Sequence, residues 1–434
     1  MKPYLVGLLA AWVMAAASEA MGKVEVVSVK DGQELRYPLV LVAGTFDGKR
    51  LLVEAVTTGV QTSATTEGTR FRVLADLKSG TNLLKISDAD GTRELTLTYK
   101  PATSEEYRLK AWYVVCKGED PASPEFNTHI TPLYKQKISV QIKLMQSWSA
   151  EDMNRNGFGR RTFYPLYDAD GQADVGLITL PMTREEVLAS PRGIYEIVEQ
   201  EIPAAFRRPT LKHLAFTSVK AAAQSSGNFC LVGSKTIMQI GPSHVRDLMD
   251  ALECPIAVDH LQYRAYVGVT LHETGHMMHM AWHPGGHNNV IQSAYGNISR
   301  VFTFRDTPAA APHEDKDLSS WGVHRPLMNW NRWFMSPDPA TYKDGKVSVT
   351  FAGGQIHVSA EHDLAVVYYY MPGGEPTLYK TLDEKHVKTF TMAIDQAGKE
   401  LNGQKEWFNV MAVDVEGNMA YATCRMKEAG ASGK

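Results

Sequence analysis

The chain has 434 residues, of which 44% are hydrophobic and 21% are charged, and its formal net charge is -3. These values are ordinary for a globular protein of about three domains. They include no basic excess that would attract nucleic acid or anionic lipid, so we expect no nucleic acid partner.

The first twenty residues have the features of a secretory signal. Lys2 precedes an apolar run from Tyr4 to Ala17, and the small residues Ser18 and Ala20 come just before Met21. An N-terminal membrane anchor is the alternative, but the run is shorter than the ~20 apolar residues that a spanning helix needs. We therefore predict a signal peptide over 1–20, no transmembrane segment after its cleavage, and a secreted chain that is extracellular or periplasmic.

Two regions of the chain have the pattern of antiparallel β-sheet. Short alternating runs such as VEVVSV and ELTLTYK fill Lys23 to Lys100 and are separated by DG, SG and EG turn signals. Similar short runs of strand-forming residues, followed by glycines, occur near the C-terminus in VSVTFAGG and LAVVYYYMPGG. We predict two all-β sandwich domains, immunoglobulin-like or fibronectin-like, over 21–100 and 344–428, followed by a polar tail over 429–434.

The block between them, 101–343, mixes the patterns of both element types. KISVQIKLMQ predicts a strand, whereas REEVLAS, GIYEIVEQEI and SHVRDLMDAL predict helices. The strongest helical pattern runs from about His260 to Ala281, and the PGG that follows stops the helix. This central α+β domain is the one in which we expect chemistry.

Four cysteines are present, Cys116, Cys230, Cys254 and Cys424, and none has CxxC spacing. A cysteine zinc site or a redox motif is therefore not indicated. In an exported chain these residues can form disulfides, and we expect Cys230 to pair with Cys254; free buried thiols are the alternative.

The sequence HETGH, within the last predicted helix, has the spacing of a zinc site. His272 and His276 are four residues apart, so they share one helix face one turn apart, and two imidazoles so placed can bind one Zn²⁺. Glu273 between them can reach the water of the metal and act as a general base. The alternative is a polar helix face that merely contains several histidines. We predict one catalytic Zn²⁺ on His272 and His276, with Glu273 as the catalytic base.

A catalytic zinc ion needs a third protein ligand. On a continued helix, His279 and His283 would lie ~10 Å and ~16 Å from His272 along the axis, out of reach of the same ion. Pro284 disfavours helical geometry at the residue before it, and glycines follow, so the chain can turn back there. His283 is the favoured third ligand, with His279 and His287 as alternatives.

The stretch HETGHMMHMAWHPGG resembles the metzincin signature H-E-x-x-H-x-x-G-x-x-H. It is closer still to the putative zinc metallopeptidase family of fungi and other eukaryotes, some of whose members carry a lectin-like C-terminal domain. The blocks KLMQSWSAEDMNRNGFGRRTF, SSGNFCLVGSKTIMQIGP, YGNISRVFTFRD and WGVHRPLMNWNRWF also resemble that family, in the same order, over about residues 137–335. The resemblance implies a metzincin-like metallopeptidase domain.

Four positions depart from that pattern or depend on it. His279 stands where the signature has a turn-forming glycine, and the third histidine comes one residue late. Ile291 stands where the family has the methionine of its turn under the metal, and Met328 is a distant substitute. Tyr295 matches a family tyrosine, so the resemblance implies that it donates a hydrogen bond to an oxyanion; an ordinary buried tyrosine is the alternative.

Other polar residues of the central block have two interpretations each. Arg155, Arg160 and Arg161 either line a substrate cleft or form ion pairs that hold the fold. His324 either positions substrate or is a structural histidine.

These features predict a secreted zinc metallopeptidase, an endopeptidase, that hydrolyses peptide bonds of a protein or peptide substrate through metal-activated water. The rival hypothesis is a catalytically inactive secreted adhesion protein on a metallopeptidase scaffold, which binds a protein, a glycan or a glycoprotein through its β-sandwich domains. The residue at 279 and the missing methionine motivate the rival.

Overall fold

A computed structural model describes residues 24–48, 50–89, 91–121, 133–219, 222–233, 237, 241–253, 257–258, 261–280, 283–284, 289–292, 296–304, 320–335, 341–401 and 406–425. The chain divides into two compact units. The first comprises Met1–Pro101, His244–Glu253 and Phe302–Arg305, and the second comprises the remainder. Over the described ranges, no helix has both the length and the apolar character that a membrane crossing requires.

The first unit is built from short strands. They are β1 (Glu25–Val26), β2 (Gln33–Leu35), β3 (Leu39–Thr45), β4 (Leu52–Ala55), β5 (Val60–Ser63), β6 (Thr65–Glu67), β7 (Arg70–Asp76), β8 (Gly80–Ser87) and β9 (Thr92–Tyr99). One sheet has the order β1-β3-β7-β6 and the other has the order β2-β9-β8-β4-β5. Alternate residues of β8 and β9 are buried, as expected for sheets with one face in a core. The assignment to an immunoglobulin-like or fibronectin-like sandwich stays a prediction.

A five-stranded sheet is the centre of the second unit. Its strands are β10 (Arg108–Val115), β11 (Val175–Thr179), β12 (Leu211–Thr217), β13 (Gln224–Ser226) and β14 (Phe229–Gly233), in the order β11-β10-β12-β14-β13. All neighbours are parallel except β13, which pairs antiparallel with β14 and ends the sheet. Strands β10 and β12 are buried along their whole length, which is typical of parallel strands covered on both faces.

The helices of the central block are α1 (Tyr134–Arg155), α2 (Arg184–Ala189), α3 (Ile194–Glu201), α5 (Tyr263–Met277), α6 (Arg325–Trp330) and α7 (Arg332–Met335); α4 (Leu248–Glu253) belongs to the first unit. Side chains of α2 and α3 join one hydrophobic cluster with one face of the sheet, for example Val187 and Val198 with Trp112 and Leu231. Helix α5 contacts β13 and β14 and follows a short hairpin, β15 (Ala257–Val258) and β16 (Leu261–Gln262).

The prediction of a strand at KISVQIKLMQ was wrong, because these residues lie in α1. Every residue from Ile138 to Met153 is buried, polar ones included. A helix that is buried all round has no polar face, so its sequence lacks the 3.6-residue alternation that identifies a surface helix. The β-branched residues Ile138, Val140 and Ile142 occupy alternate positions and therefore resemble a strand.

The C-terminal part of the second unit contains two further sheets. The first sheet consists of β17 (Val347–Ala352), β18 (Gln355–Ala360) and β21 (Thr389–Ala393). The second sheet has the order β20 (Thr377–Thr381), β19 (Leu364–Tyr370), β22 (Trp407–Asp414), β23 (Met419–Arg425). Helix α8 (Ile394–Glu400) follows β21. Both sheets contribute side chains to one hydrophobic cluster, including Ile356, Val367 and Phe408. The chain is thus a mixed α/β protein with several sheets, and the flanking-sandwich assignment and the domain limits stay predictions.

The preferred disulfide between Cys230 and Cys254 was wrong. Cys116, Cys230 and Cys424 are free buried thiols, and Cys254 lies outside the described residues. Burial raises the pKa of the Cys230 thiol well above its ordinary value, so this residue behaves as a small apolar side chain of β14.

Candidate active site

The helix that carries HETGH ends earlier than the sequence suggests. Helix α5 ends at Met277, and His279 follows with a φ of +72°. The N–H of His279 donates to the carbonyl of His276 at 3.1 Å, and the N–H of Met280 donates to the carbonyl of Gly275 at 3.0 Å. These two bonds with a left-handed residue define a Schellman motif, in which glycine is usual at the left-handed position. The prediction that Pro284 ends the helix was wrong, since the chain already reverses at His279.

Close packing explains the glycine within the motif. A Cβ on Gly275 would lie 2.3 Å from Cδ1 of Ile291, 3.0 Å from Cε of Met280 and 3.1 Å from the Trp321 ring. A side chain at position 275 would therefore displace Ile291. Met328, the suggested substitute, is a buried residue of α6.

The reversal brings three histidines together. The Nε2 atoms of His276 and His272 are 3.0 Å apart, those of His276 and His283 are 3.2 Å apart, and those of His283 and His272 are 3.4 Å apart. Tetrahedral ligands at a Zn–N distance of ~2.05 Å are separated by about 3.3 Å, so the three nitrogens have the spacing of one zinc ligand set. These residues could hold a metal ion.

Backbone carbonyls orient two of the three rings. Nδ1 of His272 lies 3.0 Å from the carbonyl oxygen of Val290, and Nδ1 of His276 lies 2.5 Å from that of Met280. Because a carbonyl oxygen only accepts, each Nδ1 carries the hydrogen and donates it, which leaves the Nε2 lone pair for a metal. Burial lowers the pKa of His272 to about 3 and also lowers that of His276, so both imidazoles are neutral at neutral pH.

The carbonyl that orients His272 belongs to a turn. The N–H of Val290 donates to the carbonyl oxygen of Ser320 at 2.9 Å, and the N–H of Ile291 donates to Oδ1 of Asn289 at 2.9 Å. Asn289 is buried, and these bonds fix the peptide that faces the histidine. The turn therefore supports the ligand through its backbone rather than through the side chain at 291.

Glu273 lies on α5 beside the triad and is 9% exposed. Its Oε2 accepts a hydrogen bond of 2.9 Å from Oγ of Ser225 on the edge strand β13. Burial raises the pKa of the Glu273 carboxyl, although the Ser225 hydrogen bond acts in the opposite direction. A buried carboxylate with a raised pKa is a better proton acceptor than an exposed one.

The other residues singled out from the sequence are not members of the triad, and two of them are not described. The His279 ring packs against Trp333 with centroids 5.5 Å apart, and burial lowers its pKa to about 4. His324 is fully buried, which fits the structural interpretation and excludes direct contact with substrate in this conformation. Tyr295 and His287 lie outside the described residues.

The arginines of the central block form ion pairs and backbone contacts. Nε of Arg160 lies 3.0 Å from Glu151, Arg155 lies 3.5 Å from the buried Asp152, and Arg161 donates to the Phe158 carbonyl. These contacts favour the fold-holding interpretation. Asp152 also accepts two bonds from Arg325 and one from the N–H of Trp321 and thereby ties α1 to the start of α6.

Sequence reasoning missed Ser225 and Asn331. The buried Asn331 donates from Nδ2 to the Met278 carbonyl at 2.9 Å, just before the left-handed turn, and so supports the end of α5. Both residues lie within blocks that carry the family resemblance, but the roles depend on contacts distant in sequence. The sequence carried no signal for the contact of Ser225, and for Asn331 the signal was an asparagine between two tryptophans.

The N-terminal part of the chain matches a known family. A model of the putative peptidase family, Metallopep, matches residues 23–179, which precede the histidines. No curated protein matches the sequence.

Among solved structures, wild type OgpA from Akkermansia muciniphila is 15% identical, with 75% of this chain and 94% of that chain covered and a TM-score of 0.43. Catalytically inactive OgpA in complex with an O-glycopeptide (glycodrosocin) substrate is also 15% identical, with 74% and 93% covered and a TM-score of 0.40. The ZmpB metallopeptidase from Clostridium perfringens is 10% identical, with 93% and 96% covered and a TM-score of 0.14. Over residues 23–179 the chain is similar to the Metallopep family, and this family match supports a metallopeptidase.

Proposed function

We propose that the protein is a secreted zinc metallopeptidase that binds one zinc ion through His272, His276 and His283. The observation that carries the proposal is the convergence of the three Nε2 atoms to within 3.0–3.4 Å of one another. Two neutral rings whose Nδ1–H groups are engaged by carbonyls support the same assignment, because this arrangement directs the free lone pairs to one point.

Zinc, when bound, supplies Lewis acid chemistry and lowers the pKa of a water molecule toward ~7. Glu273 takes the proton of the attacking water and later passes it to the leaving amine. Ser225 donates to Oε2 of Glu273, which leaves the other carboxylate oxygen available for the proton. Tyr295 is proposed, from the family resemblance alone, to donate a hydrogen bond to the developing oxyanion.

The position of β13 suggests how a peptide substrate is held. This strand ends the five-stranded sheet, and Ser225 on it contacts Glu273. Among the described residues no further strand pairs with its outer edge. An extended peptide can add to such an edge through backbone hydrogen bonds, which would place a scissile carbonyl beside the base.

A second candidate function is glycan or protein binding on an inactive scaffold. An exposed patch on β22 and β23 favours it, because Trp407 is 41% exposed and Tyr421 is 68% exposed on the face opposite the core cluster, although Met411 on the same face is buried. Asn409 and Thr423 are hydrogen bonded on the same face at 2.8 Å. Aromatic rings beside amide and hydroxyl groups can contact a sugar or a protein surface. The left-handed His279 weakens the argument for inactivity, since the expected turn forms without glycine.

Zinc stoichiometry and casein cleavage on the full chain and on Glu273→Gln test the proposal. We expect one zinc per chain in both proteins and a rate lower by ~10²–10⁴-fold in the variant, because the proton acceptor is lost. Glu196→Gln, which alters an exposed glutamate of α3, is the matched control and should retain full activity. A zinc-loaded Glu273→Gln with full activity would contradict the role of Glu273.

A cleavage assay and a glycan-binding assay distinguish the binding alternative from the peptidase. A zinc-loaded wild type that cleaves no member of a broad peptide library, but binds a glycan array through Trp407, would favour it. Cleavage that is unaffected by Trp407→Ala would favour the peptidase.

A further inference from the structure

His283 is held differently from the other two histidines. His272 and His276 lie on α5, and the Nδ1 of each contacts a backbone carbonyl. His283 is exposed and follows the turn, and no hydrogen bond from a described residue reaches its Nδ1. Its Nε2 nevertheless lies 3.2 Å and 3.4 Å from those of His276 and His272. A contact to its backbone is therefore of interest as a restraint on this ring.

Gly374, in the connection between β19 and β20, makes such a contact. A Cβ on this residue would lie 2.2 Å from the carbonyl oxygen of His283, 2.4 Å from its carbonyl carbon and 2.5 Å from its nitrogen. The φ of Gly374 is +97°. Glycine is therefore required both by the left-handed backbone and by the approach to the His283 peptide.

Hydrogen bonds make the connection compact. The N–H of Gly374 donates to the Met371 carbonyl at 2.8 Å, and the N–H of Met371 donates to the Pro376 carbonyl at 3.2 Å. The Thr377 hydroxyl donates to the Gly374 carbonyl. Met371 belongs to the hydrophobic cluster of the C-terminal sheets, so the loop is anchored to that core.

We propose that Gly374 is a positioning residue for the third zinc ligand. The loop between β19 and β20 supports the His283 backbone so that its Nε2 completes the triad. The inference rests on the proposed function, because the role is defined by zinc binding to these histidines. It makes the C-terminal sheets part of the metal centre rather than a separate appendage.

Gly374→Ala in the full chain tests the inference, with zinc affinity measured by competition against a chelator at pH 7. Real Cβ atoms do not approach closer than 3.0 Å, so either the loop or His283 must move by about 1 Å. Metal–ligand distances tolerate only ~0.2 Å, and loss of a supporting contact typically costs ~10–100-fold in affinity. We expect a loss in that range.

Gly373→Ala is the matched control. Gly373 has a φ of +88°, close to that of its neighbour, but a Cβ on it meets nothing within 4 Å. Both variants therefore place alanine in a strained backbone, and only one crowds His283. We expect the zinc affinity of Gly373→Ala to remain within about twofold of wild type. Equal affinities for the two variants would overturn the inference.

A double variant shows whether the effect passes through His283. In the His283→Ala background, Gly374→Ala should cause no further loss of zinc affinity, whereas a general disturbance of the fold would add to the loss. An additive loss overturns the inference. If wild type binds no zinc, the proposed function fails and the inference with it.

Thr377→Val covers the case in which Gly374→Ala does not fold. It removes the hydrogen bond to the Gly374 carbonyl and keeps the shape of the side chain. We expect zinc affinity to fall severalfold with a circular dichroism spectrum like that of wild type. Wild-type zinc affinity in a folded Thr377→Val refutes the role of the loop.

Discussion

Substitution of His279 tests the chain reversal on which the proposed metal centre depends. A non-glycine residue in the left-handed region costs about 1 kcal/mol, and His279 has a φ of +72°. Its ring packs against Trp333 at 5.5 Å, a contact of about 0.5–1.5 kcal/mol. His279→Gly loses the contact but relieves the strain, so the unfolding free energy should stay within ~1 kcal/mol of wild type. His279→Ala loses the contact and keeps the strain, so it should fall ~1–2 kcal/mol below wild type.

Urea unfolding of the metal-free protein, followed by tryptophan fluorescence, measures the order of stabilities. The same three proteins should have similar zinc affinities, because the His279 ring lies against Trp333 and outside the triad. His276→Ala is the control that loses zinc. Equal stabilities of the glycine and alanine variants would refute the left-handed turn, and loss of zinc in His279→Gly would make residue 279 a ligand.

Three further substitutions test the surroundings of the site. Gly275→Ala should lower the unfolding free energy by ~1–3 kcal/mol and weaken zinc binding, because the new Cβ would lie 2.3 Å from Cδ1 of Ile291. Unchanged thermal unfolding and unchanged zinc affinity would contradict this packing. Arg332→Met should lower the unfolding free energy by roughly 3 kcal/mol, since the buried guanidinium donates to two backbone carbonyls and three side chains. In a urea titration Arg332→Lys should be no more stable than Arg332→Met, because lysine cannot form this set of bonds. Wild-type stability of the lysine variant would refute the geometry. Burial lowers the pKa of Lys212 to about 7, against ~10.4 in the unfolded chain, so the unfolded state binds more protons between these values and stability rises with pH. Methionine loses the bonds of the amine to the Gly227 carbonyl and to Oδ1 of Asn228 at every pH, so the pH dependence is what tests the shift. The unfolding free energy of Lys212→Met relative to that of wild type should be highest near pH 7 and should decrease toward pH 10; a difference that is independent of pH contradicts a buried, shifted lysine.

Local spacing was sufficient to predict the first half of the candidate site. His272, Glu273 and His276 lie on one helix, and helical periodicity alone places them. His283 lies beside them in the structure, and its role as the third zinc ligand stays a prediction. The expected cause of its position was wrong. Pro284 was expected to break the helix, but the reversal comes at His279. Because histidine seldom adopts a left-handed backbone, its presence at position 279 does not by itself indicate a turn, whereas a proline does.

The parts that could not be predicted depend on contacts distant along the chain. Ser225 reaches Glu273 only because β13 is the edge of a sheet whose order, β11-β10-β12-β14-β13, differs from the order of its strands in the sequence. Helix α1 was taken for a strand at KISVQIKLMQ because a helix buried on all sides carries no amphipathic signal. Tertiary structure decided both cases, through the order of the sheet for Ser225 and through burial for α1.

The triad depends on three backbone positions that are not ligands. Gly275 permits the approach of the Ile291 turn, His279 reverses the chain, and Gly374 approaches the peptide of His283. Each of these residues affects the triad through the position of its backbone. A side chain added at either glycine can therefore move the histidines apart without removing any of them. A chain can therefore retain HETGH and still lack the spacing of 3.0–3.4 Å that joins His283 to the other two. In the proposed zinc site, HETGH supplies two ligands and the base, and the packing of the C-terminal loop and the helix end decides whether a third ligand is within reach.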